Sequence, residues 1–227
     1  MLRALIFDFN GIIVDDEPIH FELFKRVLAQ ESIELTEETY YARYLGFDDR
    51  GAFTAAYREQ GRSLDETLLL QLIHRKAVYY KDAIQKNVRI FPGVQELIAA
   101  LSTGLPLAVA SGALKHEIET ILSTSGLLKH FAVIISAEDV KQGKPEPEIF
   151  FKALAQLNLQ VKNAHPIDAA DCLVVEDSKE GIRGARRAGM TCLAVTNSHS
   201  MELLREANAI VSSLEDVDLP FLEKLFA

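Results

Sequence analysis

Short apolar runs that stop abruptly at a polar residue, each followed by a stretch of helical periodicity, constrain this chain more than any other feature. LPLAVAS (105–111) precedes HEIETILSTSG (116–126), which Gly126 closes. FAVIIS (131–136) precedes PEIFFKALAQLN (147–158), and CLVVED (172–177) precedes KEGIRGARRAG (179–189), again with a glycine stop. TCLAVT (191–196), a short AIV (209–211) and a terminal helix over 219–226 follow, and LRALIF (2–7) is a run of the same kind that ends at Asp8. Apolar runs this short, with no polar alternation, read as strands buried on both faces. Strand–helix repetition gathers such strands into one parallel sheet covered by helices. The expected fold is therefore α/β, with a doubly wound, Rossmann-like parallel-sheet core.

Residues 16–87 have another texture. They are rich in Glu, Lys, Arg, Gln and Tyr, with helical spacing at Phe21, Phe24 and Leu28 and again at Leu68, Leu69, Leu72 and Ile73. No strand is expected there, so the segment reads as a helical insertion. Phe91-Pro92-Gly93 punctuates its end, and VQELIAAL (94–101) follows as an amphipathic helix. The chain thus divides into a core, 1–15 with 88–227, and an inserted helical domain, 16–87.

With 48% hydrophobic and 25% charged residues, the 227-residue chain can bury a sizeable core. A net charge of -9 repels phosphate backbones and anionic membranes, so neither nucleic acid nor a membrane is an expected partner. A small anionic ligand needs a locally positive pocket or a metal. Cys172 and Cys192 lie inside apolar runs and read as buried thiols, which suits a reducing cytoplasm. No apolar run approaches the roughly 18 residues of a membrane span, and the N-terminus reads as a strand with no cleavage site. Oligomeric state leaves no mark on the sequence.

In doubly wound sheets, functional residues gather at the carboxyl ends of the strands. Here those ends carry Asp8, Ser111 and Glu176-Asp177, and Lys144 lies in a loop after a further strand. Two carboxylates that share a divalent cation, a hydroxyl and an ammonium are the parts a phosphoryl-transfer site needs, and Mg²⁺ favours oxygen ligands. Each residue also has a plainer reading. Asp8 or Asp177 would serve as a helix N-cap, Ser111 as a turn residue, and Lys144 as a solvated loop lysine.

The order DxNGxxxD (Asp8, Asn10, Gly11, Asp15), Ser111, GKPEP (Gly143 to Pro147) and VVEDS (Val174 to Ser178) resembles the four motifs of haloacid dehalogenase-like hydrolases. The phosphatase and β-phosphoglucomutase branch, which has a helical cap after the first motif, is the nearest likeness, and it extends over nearly the whole chain. The resemblance implies a Mg²⁺-dependent enzyme acting on a small phosphorylated metabolite, a sugar phosphatase or the neighbouring phosphosugar mutase. It makes Asp8 the nucleophile that forms an aspartyl-phosphate. It makes Ser111, Gly112 and Lys144 the phosphoryl contacts, and Asp8, the backbone carbonyl of Asn10, Glu176 and Asp177 the metal ligands. In the cap it points to His20, to Arg50 in the GFDDR loop (46–50), one residue displaced, and to Lys76 as substrate contacts. Their plainer readings are a structural helix histidine and two surface charges.

Asn10 departs from the pattern, because phosphatase and mutase members carry Asp there as the general acid–base. An amide cannot exchange a proton near neutral pH, and general acid–base help is worth about 10²–10⁴-fold. Three outcomes stay open. One is a slowed enzyme that borrows a proton carrier such as His20 or Asp15, another is a chain altered at this position to stall turnover, and the last is a phosphometabolite-binding protein with no turnover. A metal-independent dehalogenase fits less well, since the Glu176-Asp177 pair is intact. A phosphonate hydrolase would need Lys76 as a Schiff-base lysine.

Overall fold

The computed structural model describes residues 1–226 except 46, 48, 87 and 161–164, so part of the GFDDR loop, Gly46 and Asp48, lies outside the described residues. In chain order the elements are β1 (Ala4–Phe7), β2 (Val14–Asp15), α1 (Glu17–Gln30), α2 (Glu37–Arg43), α3 (Asp49–Glu59), α4 (Glu66–Ala83) and β3 (Arg89–Ile90). There follow α5 (Val94–Leu101), β4 (Leu107–Ala110), α6 (Lys115–Thr124), β5 (Val133–Ile135) and α7 (Glu148–Gln160). The chain ends with β6 (Cys172–Glu176), α8 (Lys179–Arg187), β7 (Thr191–Val195), β8 (Ala209–Val211) and α9 (Leu219–Lys224). Two compact units result, Met1–Asp15 with Val88–Ala227, and Asp16–Asn87.

The first unit is a parallel six-stranded sheet in the order β5-β4-β1-β6-β7-β8. Counting only its own strands along the chain, this is the doubly wound order in which direction reverses beside the first strand. β1 lies at that reversal, with Phe7 level with Val109 of β4 on one side and with Val175 of β6 on the other. Asp8 and Glu176 therefore leave the sheet side by side at its carboxyl edge. Alternate residues of the strands (Ala4, Ile6, Ala108, Val174) pack with Ile149, Phe150 and Leu157 of α7 and Ile182 of α8. Leu5, Phe7, Val109 and Val175, which point the other way, are equally buried, so both faces are covered and the strands need no polar alternation. Truncating one of these side chains, Leu157→Ala for example, removes about 2–5 kcal/mol.

One element was not expected from the sequence. β2 and β3 form a two-residue antiparallel ribbon, Val14 beside Ile90 and Asp15 beside Arg89, and the Asp15 carboxylate lies 3.5 Å from the Arg89 guanidinium. The ribbon ties together the two points at which the chain leaves and re-enters this unit.

The second unit is helical. Phe21, Phe24, Val27 and Leu28 of α1 share a core with Tyr40 of α2, Phe53 of α3, and Leu69 and Leu72 of α4. Thr36 and Asp65 cap α2 and α4 by accepting from the backbone N–H groups three residues on. Among the described residues no helix is long and apolar enough to cross a membrane.

Candidate active site

The corner between β1 and β6 is built by a tight turn. The Phe9 carbonyl accepts from Ile13 at 2.8 Å and Val14 at 3.1 Å, and the Gly11 N–H donates to the Val14 carbonyl at 3.0 Å. Gly11 has φ +76, and a Cβ there would stand 1.9 Å from Asp177 Oδ2, so the turn admits no side chain at this position. Because the peptide is planar and trans, donation by the Gly11 N–H directs the Asn10 carbonyl away from Val14.

Lys144 reaches the corner from the loop after β5. Its Nζ lies 2.8 Å from Asp8 Oδ1 and 2.6 Å from Glu176 Oε1. The lysine is thus not a solvated loop residue, since its side chain is only 12% exposed. Its two anionic partners outweigh the cost of burial and hold its ammonium well above the usual lysine range. Glu176 is engaged on both oxygens. While Oε1 accepts from Lys144, Oε2 accepts from the Asp177 N–H at 3.0 Å, the Ser178 N–H at 2.9 Å and Ser178 Oγ at 2.8 Å. Burial works against its charge, but Lys144 and the Ser178 donors together keep it below the usual glutamate range. Gly181 makes room for this carboxylate, because a Cβ there would lie 1.7 Å from Oε1. The α8 N-cap is Ser178, whose hydroxyl accepts from the Gly181 N–H, and Asp177 has no such task.

Asp8, Glu176 and Asp177 bring carboxylate oxygens within 4.8 Å of one another, and among the described residues the Lys144 ammonium contacts the cluster. Burial, with Glu176 adding to it, pushes Asp8 up to about 7 although Lys144 pulls the other way. Burial and the neighbouring Glu176 and Asp8 charges hold Asp177 well above the ordinary range. Buried like charges with too little positive charge between them call for a cation, and an all-oxygen donor set suits Mg²⁺. The residues present therefore fit a divalent ion.

Ser111 is buried at the end of β4, its N–H donating to the Ile135 carbonyl, and its Oγ accepts from the Ala113 N–H at 3.1 Å. The turn-forming role is thus real. Gly112 is exposed, with open space where a Cβ would stand.

In the helical unit, His20 and Lys76 meet. Lys76 is 2% exposed, which rules out the surface-charge reading. Its Nζ lies 2.8 Å from His20 Nδ1, 2.6 Å from Asp49 Oδ1 and 4.1 Å from the centre of the Phe24 ring. An ammonium only donates, so His20 Nδ1 accepts and the ring proton sits on Nε2, which donates to Asp16 Oδ2 at 3.1 Å. Tyr80 donates to the same Asp16 oxygen at 2.7 Å and stacks on the His20 ring. Arg50 is half exposed, and Glu66 takes its guanidinium in a two-point pair at 2.7 and 2.8 Å.

The loop after β7 was not singled out from the sequence, yet it reaches the corner. Asn197 Nδ2 donates to the Gly11 carbonyl at 2.7 Å, Ser198 Oγ donates to Asp177 Oδ2, and His199 Nδ1 lies 3.1 Å from the Asp177 carbonyl. In TNSHS only the density of polar side chains directly after a strand hints at this.

Residues 5–195 match the haloacid dehalogenase-like hydrolase family, and the chain belongs to that family. It is 32% identical over 209 residues to YhcW of Bacillus subtilis (strain 168), covering 91% of this chain and 89% of that one. It is 29% identical over 214 residues to the phosphorylated carbohydrates phosphatase of Thermotoga maritima, covering 92% and 93%. Its fold is similar to that of β-phosphoglucomutase from Clostridium difficile, with TM-score 0.77 and 22% identity over 100% and 97% of the two chains. At the level of class this is a hydrolase-family chain whose relatives act on phosphorylated substrates.

Proposed function

We propose that this chain is a Mg²⁺-dependent phosphatase of small phosphorylated metabolites, sugar phosphates first among them, working through an aspartyl-phosphate on Asp8. The observation that supports this most is the corner itself. The Asp8 carboxylate stands at the reversal point of the sheet, with the Lys144 ammonium 2.8 Å away and an Asp177 carboxylate oxygen within 4.8 Å. In this reading an Asp8 oxygen attacks phosphorus, the bond from phosphorus to the leaving oxygen breaks, and water later cleaves the acyl phosphate. Lys144 and Ser111, with the adjacent Gly112 backbone, hold the phosphoryl oxygens and counter their charge. Asp8, Asp177 and the Asn10 carbonyl hold the ion, which neutralises phosphoryl charge when bound. Glu176, with both oxygens occupied, serves chiefly to hold Lys144 and the Asp177 loop. The Asp16–Asn87 unit acts as the family's cap, with His20, Lys76 and Arg50 as its substrate contacts.

Asn10 favours a second reading, binding with stalled turnover. Attack by Asp8 on a good leaving group needs no proton, whereas expulsion of a sugar alkoxide needs a proton donor and activation of water needs a base to take one. Adding acetyl phosphate with Mg²⁺ should therefore leave phospho-Asp8 visible by intact-mass spectrometry. Asn10→Asp should raise steady-state phosphate release from sugar phosphates by about 10²–10⁴-fold. Equal turnover of the two chains would move the proton to another residue. A chain that binds Mg²⁺ but is never phosphorylated, in either form, would leave the binding reading.

A further inference from the structure

We infer that Asn197, Ser198 and His199 form a clamp that positions both halves of the metal corner and so sets its affinity for Mg²⁺. This rests on the metal-binding reading above. The loop that carries them leaves β7, which pairs with β6 but not with β1. Three consecutive side chains nevertheless reach both loops that hold the corner. Ser198 Oγ donates to Asp177 Oδ2, and the His199 ring, with its proton on Nδ1, donates to the Asp177 backbone carbonyl at 3.1 Å. One bond fixes the rotation of the carboxylate and the other fixes the peptide that carries it. Asn197 acts across the corner, donating to the Gly11 carbonyl at 2.7 Å.

That contact bears on the ion through the backbone. The Gly11 N–H is held by Val14 and its carbonyl by Asn197, so both peptides flanking Gly11 are pinned. The first of them carries the Asn10 carbonyl, the backbone ligand of the proposed site. Gly11, Asp177 and Ser198 also converge on one point, since a Cβ on Gly11 would stand 1.9 Å from Asp177 Oδ2 and 2.8 Å from Ser198 Oγ. Groups that orient metal ligands in this way typically carry 10–100-fold in affinity. A loop that only tied the fold together would lower stability and leave the affinity of the folded protein unchanged.

The experiment is calorimetric Mg²⁺ titration of the full chain and of Ser198→Ala, Ser198→Thr, Asn197→Ala and Asp177→Ala, with thermal melts of each in the absence of metal. Ser198→Ala and Asn197→Ala should each bind Mg²⁺ about 10–100-fold more weakly. Ser198→Thr, which keeps the hydroxyl, should recover most of the loss, and the metal-free melts should move little. Asp177→Ala sets the scale for loss of an inner ligand. If Ser198→Ala does not fold, Asn197→Ala carries the decision through the Gly11 peptide. Parent-like affinity in the folded clamp variants, with Asp177→Ala unable to bind, overturns the clamp alone. A parent chain that binds no Mg²⁺ overturns the metal reading and the clamp with it.

Discussion

Removing or supplying a divalent cation should change how this protein responds to pH, and the sign follows from Asp8. Without a cation, burial and Glu176 raise its carboxyl to about 7, against about 4 in an unfolded chain. A carboxyl raised on folding holds its proton more tightly in the folded state. The stability it contributes is therefore complete below the unfolded value and is lost as pH rises through the folded one. The difference of about three units corresponds to at most about 4 kcal/mol lost between about pH 4 and about pH 7. Asp177, also held well above its ordinary value, adds in the same direction. Mg²⁺ must displace these protons, so its affinity should rise by about tenfold per pH unit below about pH 7 for one proton, and more steeply if both leave. At a concentration of a hundred times Kd the ion returns about 2.7 kcal/mol.

The assay is a set of thermal melts between about pH 5 and about pH 8, with and without Mg²⁺, beside an Asp8→Asn control. That window lies above the carboxylates whose values fall on folding, Asp139 and Glu148 among them, so their opposite contribution stays constant. The metal-free parent should lose stability relative to Asp8→Asn as pH rises, and Mg²⁺ should close the gap. Calorimetry in buffers of different ionisation enthalpy should show proton release on binding. A Mg²⁺ affinity that stays flat across the window, with no proton released, would refute the charge accounting at this corner.

Two further outcomes are expected. Gly11→Ala forces a side chain into a left-handed backbone and against the Asp177 carboxylate; denaturant unfolding should show a loss of at least about 1–2 kcal/mol, and Mg²⁺ titration should show weakened binding. Lys76→Met keeps the buried stem but leaves His20 Nδ1 and Asp49 Oδ1 without the Lys76 donor; the same unfolding experiment should show a loss of about 1–3 kcal/mol.

The sheet was legible because its strands are buried on both faces, so apolar run length and abrupt polar ends survive in the sequence without help from tertiary context. The convergence of Asp8 and Glu176 on one edge was legible for the same reason, since the carboxyl ends of parallel strands gather there, whereas the pairing of β1 with β6 came only with the strand order. The β2–β3 ribbon was not, because two residues per strand carry no periodicity. Lys76 was half legible. It falls four residues after Leu72 and four before Tyr80, on the buried face of α4, but a lysine at such a position reads as surface until its partners Asp49 and His20 are known. The Asn197–His199 contacts were illegible, since Asn197 and Gly11 are 186 residues apart in the chain and only the folded sheet brings their loops together.

The corner also shows where the chain departs from what stability alone would select. Among the described residues, buried carboxylates of like charge share the Lys144 ammonium, although replacing such groups with apolar ones is often neutral or favourable for stability. The fold does not disperse them. It accommodates each of the two acids at the end of β6 in a notch left by a missing side chain, Asp177 against Gly11 and Glu176 against Gly181. It then holds Glu176 with two backbone N–H groups, a hydroxyl and Lys144. Backbone donors and glycine notches cannot relax to relieve repulsion as flexible side chains would, so the cluster stays concentrated and its demand for positive charge is met, among the described residues, by Lys144 and by protons held on Asp8 and Asp177. Concentrated carboxylates at the reversal point of a doubly wound sheet favour a cation and, through it, an anionic ligand. Asn10 leaves that demand in place, because it alters proton traffic and not the carboxylates. This is why loss of turnover and loss of metal binding should separate in this chain.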